Sequence, residues 1–71
     1  MTEEYRQMWL DLYRFFEMAS KTDPKTPAWQ KLGTEAMEIL KKHNGNYFMQ
    51  DVLAETIGYW ATEHENRRNK A

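Results

Sequence analysis

The chain contains no cysteine, and this absence excludes several classes of protein at once. A disulfide framework, a thiolate zinc site and a cysteine nucleophile all require that residue. β-Branched apolar residues are scarce as well, with one valine and two isoleucines, and no segment alternates apolar and polar residues as a half-buried strand does. We therefore expect an all-α fold.

Long apolar runs are also missing, and we expect no targeting segment. No apolar run approaches the roughly 18 residues that a membrane-spanning helix requires. The first residues, Met-Thr-Glu-Glu-Tyr, are acidic and lack the apolar stretch of a signal peptide. We therefore expect a cytoplasmic location and no membrane partner.

The 71 residues suffice for one small domain, whose net charge of −1 gives no general attraction to nucleic acid. Burying a core of this size barely offsets the conformational entropy that the chain loses on folding, and the chain has no disulfide to stabilise it further. The chain instead has 14% aromatic residues and five methionines. We expect dense aromatic packing, oligomerisation or both to stabilise the fold.

Apolar residues recur every three or four positions in three segments, which predicts a small three-helix bundle. The predicted helices cover roughly residues 3–19, 27–43 and 47–66. Short loops between them favour antiparallel neighbours. In this interpretation residues 1–71 form a single helical domain, and residues 67–71 are expected to fray. A two-helix hairpin with a loosely docked third helix is the alternative.

Residues that start and stop helices lie where these segments begin and end. Thr2, Thr26 and Asn46 are the predicted N-caps, because their side-chain oxygens can accept hydrogen bonds from the first turn. Gly45 is expected to take the left-handed C′ conformation after the second helix.

The apolar stripes of the three helices predict which residues form the core. That core comprises Trp9, Leu12, Phe16, Leu32, Ala36, Leu40, Leu53, Ile57 and Trp60. Gly33 lies beside Ala36, and a glycine inside a helix costs about 1 kcal/mol relative to alanine. We expect Gly33 to make room for a bulky ring, so that Gly33→Leu destabilises the fold by about 1–3 kcal/mol through overpacking.

The residue types that carry most catalytic chemistry are few and poorly spaced. His43 and His64 are too far apart in sequence for a helical metal-binding pair, and Ser20, the single serine, has no nearby histidine. His43 suits the end of the second helix, and His64 suits the end of the third apolar stripe. We therefore expect no enzyme, no catalytic residue, no metal site and no cofactor.

The second and third helices, joined by a short turn, superficially resemble a helix-turn-helix. The first turns of the third helix offer Gln50 alone as a candidate for contacts to base edges. Basic residues lie instead on the second helix, at Lys31, Lys41 and Lys42, where two of them complement the helix dipole. Nucleic acid is therefore not the expected partner.

The third helix carries more apolar surface than one neighbouring helix can cover. On a helical projection Phe48 and Tyr59 lie about 20° apart and about 100° from the centre of its core stripe. The first helix has a smaller patch around Leu10, and interfaces favour aromatic residues and arginine. The predicted partner-binding residues are Phe48, Glu55, Tyr59, Leu10, Tyr13 and Arg14. We expect a second copy of the chain to bury these residues in a symmetric dimer.

Several features in the first half of the chain resemble short uncharacterised helical proteins of Gram-positive phages and prophages. They are the acidic start, Tyr5-x-x-Met8-Trp9, the Thr22-Asp23-Pro24 loop and a second helix that opens with Trp29. Such proteins are often host-interaction or anti-defence factors that act by binding. The resemblance implies a binding role and transfers no site residues.

The predicted function is a non-enzymatic protein-binding module. The alternative is a protein that sequesters a nucleotide-like ligand, in which aromatic rings stack on the base while arginine or lysine holds the phosphates. Weak nucleic-acid binding ranks third.

Overall fold

The computed structural model describes residues 1–70 and contains three α-helices. They are α1 (Glu3–Ser20), α2 (Pro27–Lys42) and α3 (Tyr47–Lys70), and residues 1–70 contain no strand. None of these helices is long and apolar enough to cross a bilayer. The prediction of a small all-α three-helix bundle is confirmed.

The helices α1 and α3 run in the same direction, and α2 runs opposite to both. Near the start of α1, the Trp9 ring packs edge-on against Phe48 in α3. Near its end, the Ala19 carbonyl accepts a hydrogen bond of 3.0 Å from His64 Nε2. The His64 ring also packs against Trp29 at the start of α2, which places that start beside the end of α3.

Two of the predicted N-caps form as expected. The Thr2 hydroxyl accepts a hydrogen bond of 3.4 Å from the Tyr5 N–H, and the Asn46 side-chain oxygen accepts one of 3.1 Å from the Met49 N–H. Each bond satisfies a backbone donor that the first helical turn leaves without a partner.

Thr26 occupies the N-cap position of α2 and Pro27 follows at N1, as predicted, but the capping bond and the C-terminal turn of α2 differ from the prediction. The Thr26 hydroxyl donates to the Asp23 carbonyl at 2.8 Å, so it makes no capping bond to α2. At the other end Asn44 occupies C′ with a φ of 58°, and Gly45 follows with a φ of 70°. The Gly45 N–H then donates to the Leu40 carbonyl at 2.9 Å, which closes a Schellman motif one residue earlier than predicted.

The third helix continues beyond its predicted end at residue 66 and includes residues 67–70, for which we expected fraying. Residue 71 lies outside the described residues. The Arg67 guanidinium lies over the Trp60 ring, 5.2 Å from its centroid, and Arg68 reaches Asp23 in the α1–α2 loop at 3.1 Å. The Arg68–Asp23 pair ties the last turn of α3 to the rest of the bundle, and the Arg67 contact lies within α3.

The core draws on all three helices. Its buried apolar members are Met8, Leu12, Phe15, Ala19, Leu32, Met49, Leu53 and Trp60. Trp29, Ala36, Ile39, Leu40, Val52 and Ile57 are half-buried against them. The predicted core is therefore confirmed on α2 and α3, but it is wrong for Trp9 and Phe16, which are both about half exposed.

The expectation for Gly33 is also wrong. A Cβ atom built on Gly33 meets nothing within 4 Å, and the residue is exposed. No ring packs against the α2 backbone at this position, so Gly33→Leu would not overpack the core.

We expect Gly33→Ala to stabilise the fold by up to about 1 kcal/mol, because alanine restricts the unfolded chain and has open space in the helix. Gly45→Ala should destabilise it by about 1 kcal/mol, since its φ of 70° strains a residue with a Cβ. Urea denaturation of the two variants checks both signs. A destabilised Gly33→Ala would place this side of α2 against the core.

Candidate protein-binding surface

Five aromatic side chains, each between 45 and 60% exposed, lie along the seam where α1 packs against α3. They are Trp9, Tyr13, Phe16, Phe48 and Tyr59, and we call this surface the aromatic face. Large apolar groups rarely lie together on the surface of a monomeric protein, and such groups mark binding sites when they do.

The rings of the aromatic face hold one another in place. Trp9 meets Phe48 edge-on at 5.5 Å between centroids, and Phe16 stacks on Tyr59 at 6.1 Å. Phe16 also packs edge-on against the buried Trp60 at 5.3 Å. Aromatic pairs at these separations attract one another beyond their simple burial, so little side-chain freedom remains to be lost when a partner binds.

Three shallow hollows lie along the seam, so the surface of the aromatic face is uneven. The largest, about 470 Å³, has Phe16, Phe48 and Tyr59 among its walls. Tyr13, Phe16 and Trp60 border a second hollow of about 430 Å³, and Trp9 borders a third of about 270 Å³. Neighbouring hollows share Phe16, so the face is continuous along both helices.

Every charged side chain that lines these hollows is a carboxylate. Glu17 borders one hollow, and Asp51 and Glu55 border another. We call these three residues the acidic rim. Glu17 accepts a hydrogen bond of 3.2 Å from the Tyr13 hydroxyl and pairs with Lys21 at 3.5 Å.

The structure brings together four of the six predicted partner-binding residues. Phe48, Glu55 and Tyr59 line one hollow, and Tyr13 lines the two adjoining ones. The other two predicted residues lie elsewhere on the surface. Leu10 and Arg14 are exposed on α1 and line none of the three hollows.

Sequence reasoning missed two members of the aromatic face, because it assigned Trp9 and Phe16 to the core. Adjacent residues of a helix point about 100° apart, so Phe15 and Phe16 cannot both occupy the centre of one stripe. Phe15 is 1% exposed and takes the interior, whereas Phe16 turns to the seam. The adjacency of two phenylalanines was the signal that could have identified the second as a surface residue.

Trp60 forms the floor of the aromatic face, and its prediction as a core residue is confirmed. Phe16, Tyr59 and His64 pack around its ring. Its indole Nε1 is buried and has no hydrogen-bond partner among residues 1–70. Packing, rather than a hydrogen bond, therefore holds this side chain.

The two histidines join helices to one another. His64 Nε2 donates to the Ala19 carbonyl, as described above, and His43 Nε2 donates to Asp11 Oδ2 at 2.6 Å. Within residues 1–70, no three His, Cys, Asp or Glu side chains lie close enough together to hold a metal ion.

Among residues 1–70, Asp11 is the one buried carboxylate, and it links α1 to the end of α2. Burial raises the pKa of the Asp11 carboxyl, but the hydrogen bonds from His43 and Lys42 and the charge of Lys42 outweigh burial. The pKa therefore lies below its ordinary value. The sequence placed His43 correctly at the helix end but gave no sign of this pairing across 32 residues.

Comparison with protein-family models found no matching family, and comparisons with curated proteins and with solved structures found no significant match. The resemblance to helical phage proteins therefore stays a prediction.

The lowered pKa of Asp11 predicts a loss of stability in acid. Because the folded pKa lies below the unfolded one, the stabilisation is complete above about pH 4 and is lost as pH falls through the folded pKa. Asp11→Asn should be less stable than the parent by about 1–3 kcal/mol near pH 6, and the gap should shrink near pH 3. Urea denaturation at the two pH values measures it. A gap of equal size at both would show that ionisation of Asp11 does not stabilise the fold.

Truncations on and beneath the aromatic face should differ sharply in stability. Trp60→Ala removes a buried ring and should cost about 3–5 kcal/mol, enough to unfold a small domain. Tyr13→Ala, at a residue 60% exposed, should change stability by no more than about 0.5 kcal/mol. Thermal denaturation followed by circular dichroism compares the two. Equal losses would mean that Tyr13 is buried and that the aromatic face is smaller than described.

Proposed function

We propose that this chain is a non-enzymatic protein-binding module and that the aromatic face is its working surface. The observation that supports this proposal is the continuity of five half-exposed rings across two helices. Large rings dominate the binding energy of protein interfaces, because they bury much area and exclude water around the contact. The role of a phage-encoded host-interaction or anti-defence factor is a further expectation that depends on the sequence resemblance alone.

The charge of the acidic rim favours a protein partner over the two alternatives. A nucleotide-like ligand needs arginine or lysine near its phosphates. The charged side chains that line the hollows are Glu17, Asp51 and Glu55 instead, and these carboxylates repel a phosphate. The same repulsion applies to the backbone of a nucleic acid. The nearby cations are already engaged, because Lys21 pairs with Glu17 at 3.5 Å and the Arg67 guanidinium lies over the Trp60 ring at 5.2 Å. Among the lysines of α2, Lys42 already pairs with Asp11 at 3.1 Å.

A dimer is the other expectation from the sequence that concerns this surface. If two copies associate through the aromatic face, their acidic rims approach one another. Like charges repel less as salt rises, so such a dimer should strengthen at high ionic strength. Light scattering at tens of micromolar gives the mass in solution, with a dimer at about twice that of the chain.

The experiment that tests this proposal compares alanine substitutions on the aromatic face with an alanine substitution of an exposed apolar residue elsewhere. Phe48→Ala and Tyr59→Ala should each weaken binding of a captured partner by about 2 kcal/mol, or roughly 30-fold. Met37→Ala is the matched control, because Met37 is an exposed large apolar residue on α2, outside the three hollows. Titration of the purified partner, with circular dichroism of each variant, separates binding from folding.

The proposal fails if Phe48→Ala and Tyr59→Ala bind the partner as well as the parent does. It also fails if Met37→Ala loses as much affinity as they do, because the effect would not then be specific to the aromatic face.

A further inference from the structure

Two members of the acidic rim, Asp51 and Glu55, carry charges that no ion pair among residues 1–70 neutralises. The two residues are four positions apart on α3 and lie on the same hollow. Like charges at this spacing destabilise a helix, so a cation placed between them relieves a repulsion that is present in the free protein.

The seam between α1 and α3 has the length of a short helical contact. From Trp9 to Phe16 the chain advances seven residues along α1, which is about 10 Å at 1.5 Å per residue. From Phe48 to Tyr59 it advances eleven residues along α3, or about 16 Å. A partner helix covers that distance with two to three turns, and its apolar residues recur at the same intervals.

The secondary structure of the chain also favours a helix as the occupant. An extended peptide binds by adding a strand to an exposed sheet edge, where its backbone groups find partners. Residues 1–70 contain no sheet, and helix backbone groups are already paired along α1 and α3. In a helical partner the backbone N–H and C=O groups are hydrogen-bonded within the helix. Only its side chains then have to find contacts on the aromatic face.

Together these observations identify the chemistry of the partner. We infer that the aromatic face binds a cationic amphipathic helix of another protein, with its apolar stripe on the five rings and its lysine or arginine side chains against Asp51 and Glu55. This inference rests on the proposed function, and it names the kind of partner that the same surface takes. A second copy of the chain is disfavoured as occupant, because it brings one acidic rim against another.

Two synthetic helices of about 18 residues serve as probes, long enough to cross the seam. Both carry the same leucine stripe, and their flanking positions are all lysine in one and all glutamate in the other. The lysine peptide should bind at least about tenfold more tightly than the glutamate peptide at low salt, and the ratio should fall as salt rises. Binding to the intact chain is measured by titration calorimetry, and the contact is mapped from chemical-shift changes of the aromatic side chains.

Charge-removing variants test the acidic rim itself. Asp51→Asn combined with Glu55→Gln should reduce the affinity for the lysine peptide at least about fivefold and leave that for the glutamate peptide unchanged or higher. Glu35→Gln combined with Glu38→Gln is the matched control. It removes two carboxylates from exposed positions of α2, outside the three hollows, and should leave the affinity for both peptides unchanged.

The outcomes separate failure of the inference from failure of the proposed function. If both peptides bind equally and shift the signals of Phe48 and Tyr59, the face binds helices without regard to charge, and the inference alone is overturned. If Tyr59→Ala binds the lysine peptide as tightly as the parent does, the attraction is general electrostatics, and the inference and the proposed working surface both fail. If neither peptide binds and light scattering shows a dimer that Tyr59→Ala abolishes, a second copy is the occupant and the inference is overturned.

Discussion

The interior of this bundle accepts one row of side chains from each helix, and the rest of the structure follows from that limit. The Cα atoms span 43 × 23 × 16 Å, and α1 and α3 each bury a single apolar stripe. Phe15 fills the position that α1 offers, so its neighbour Phe16 turns outward by the 100° that separates adjacent helical residues. The same limit leaves Trp9 and Phe48 at the seam. A chain with ten aromatic residues and so narrow a core therefore exposes part of them.

Local and periodic features of the fold were predictable from the sequence. The apolar period predicted three helices and their order, and the side chains of Thr2 and Asn46 cap helices as their residue types indicate. The pairing of Asp11 with His43 was not predictable, because it joins two helices at a rotation that periodicity does not determine. The open space at Gly33 depends on that rotation too.

The candidate site was predicted in part, and the missing part has the same physical origin. The excess apolar width of α3 identified Phe48, Glu55 and Tyr59, because that helix has two apolar sides. Trp9 and Phe16 were missed because the prediction placed them in the core, whereas their neighbours Met8 and Phe15 take the interior. A stripe predicts which residues approach a neighbouring helix, but the width of the core decides which of them are covered. The acidic rim appears only when Glu17 on α1 and Asp51 on α3 border one surface.

The fold of a single chain leaves the aromatic face exposed to solvent. A soluble paramagnetic agent added to the isotope-labelled protein measures this directly, at a concentration where light scattering gives the monomer mass. We expect strong attenuation of the side-chain signals of Trp9, Phe16 and Phe48, while those of Phe15 stay protected. Equal protection of Phe15 and Phe16 would contradict this expectation, because the seam would then be closed within a single chain.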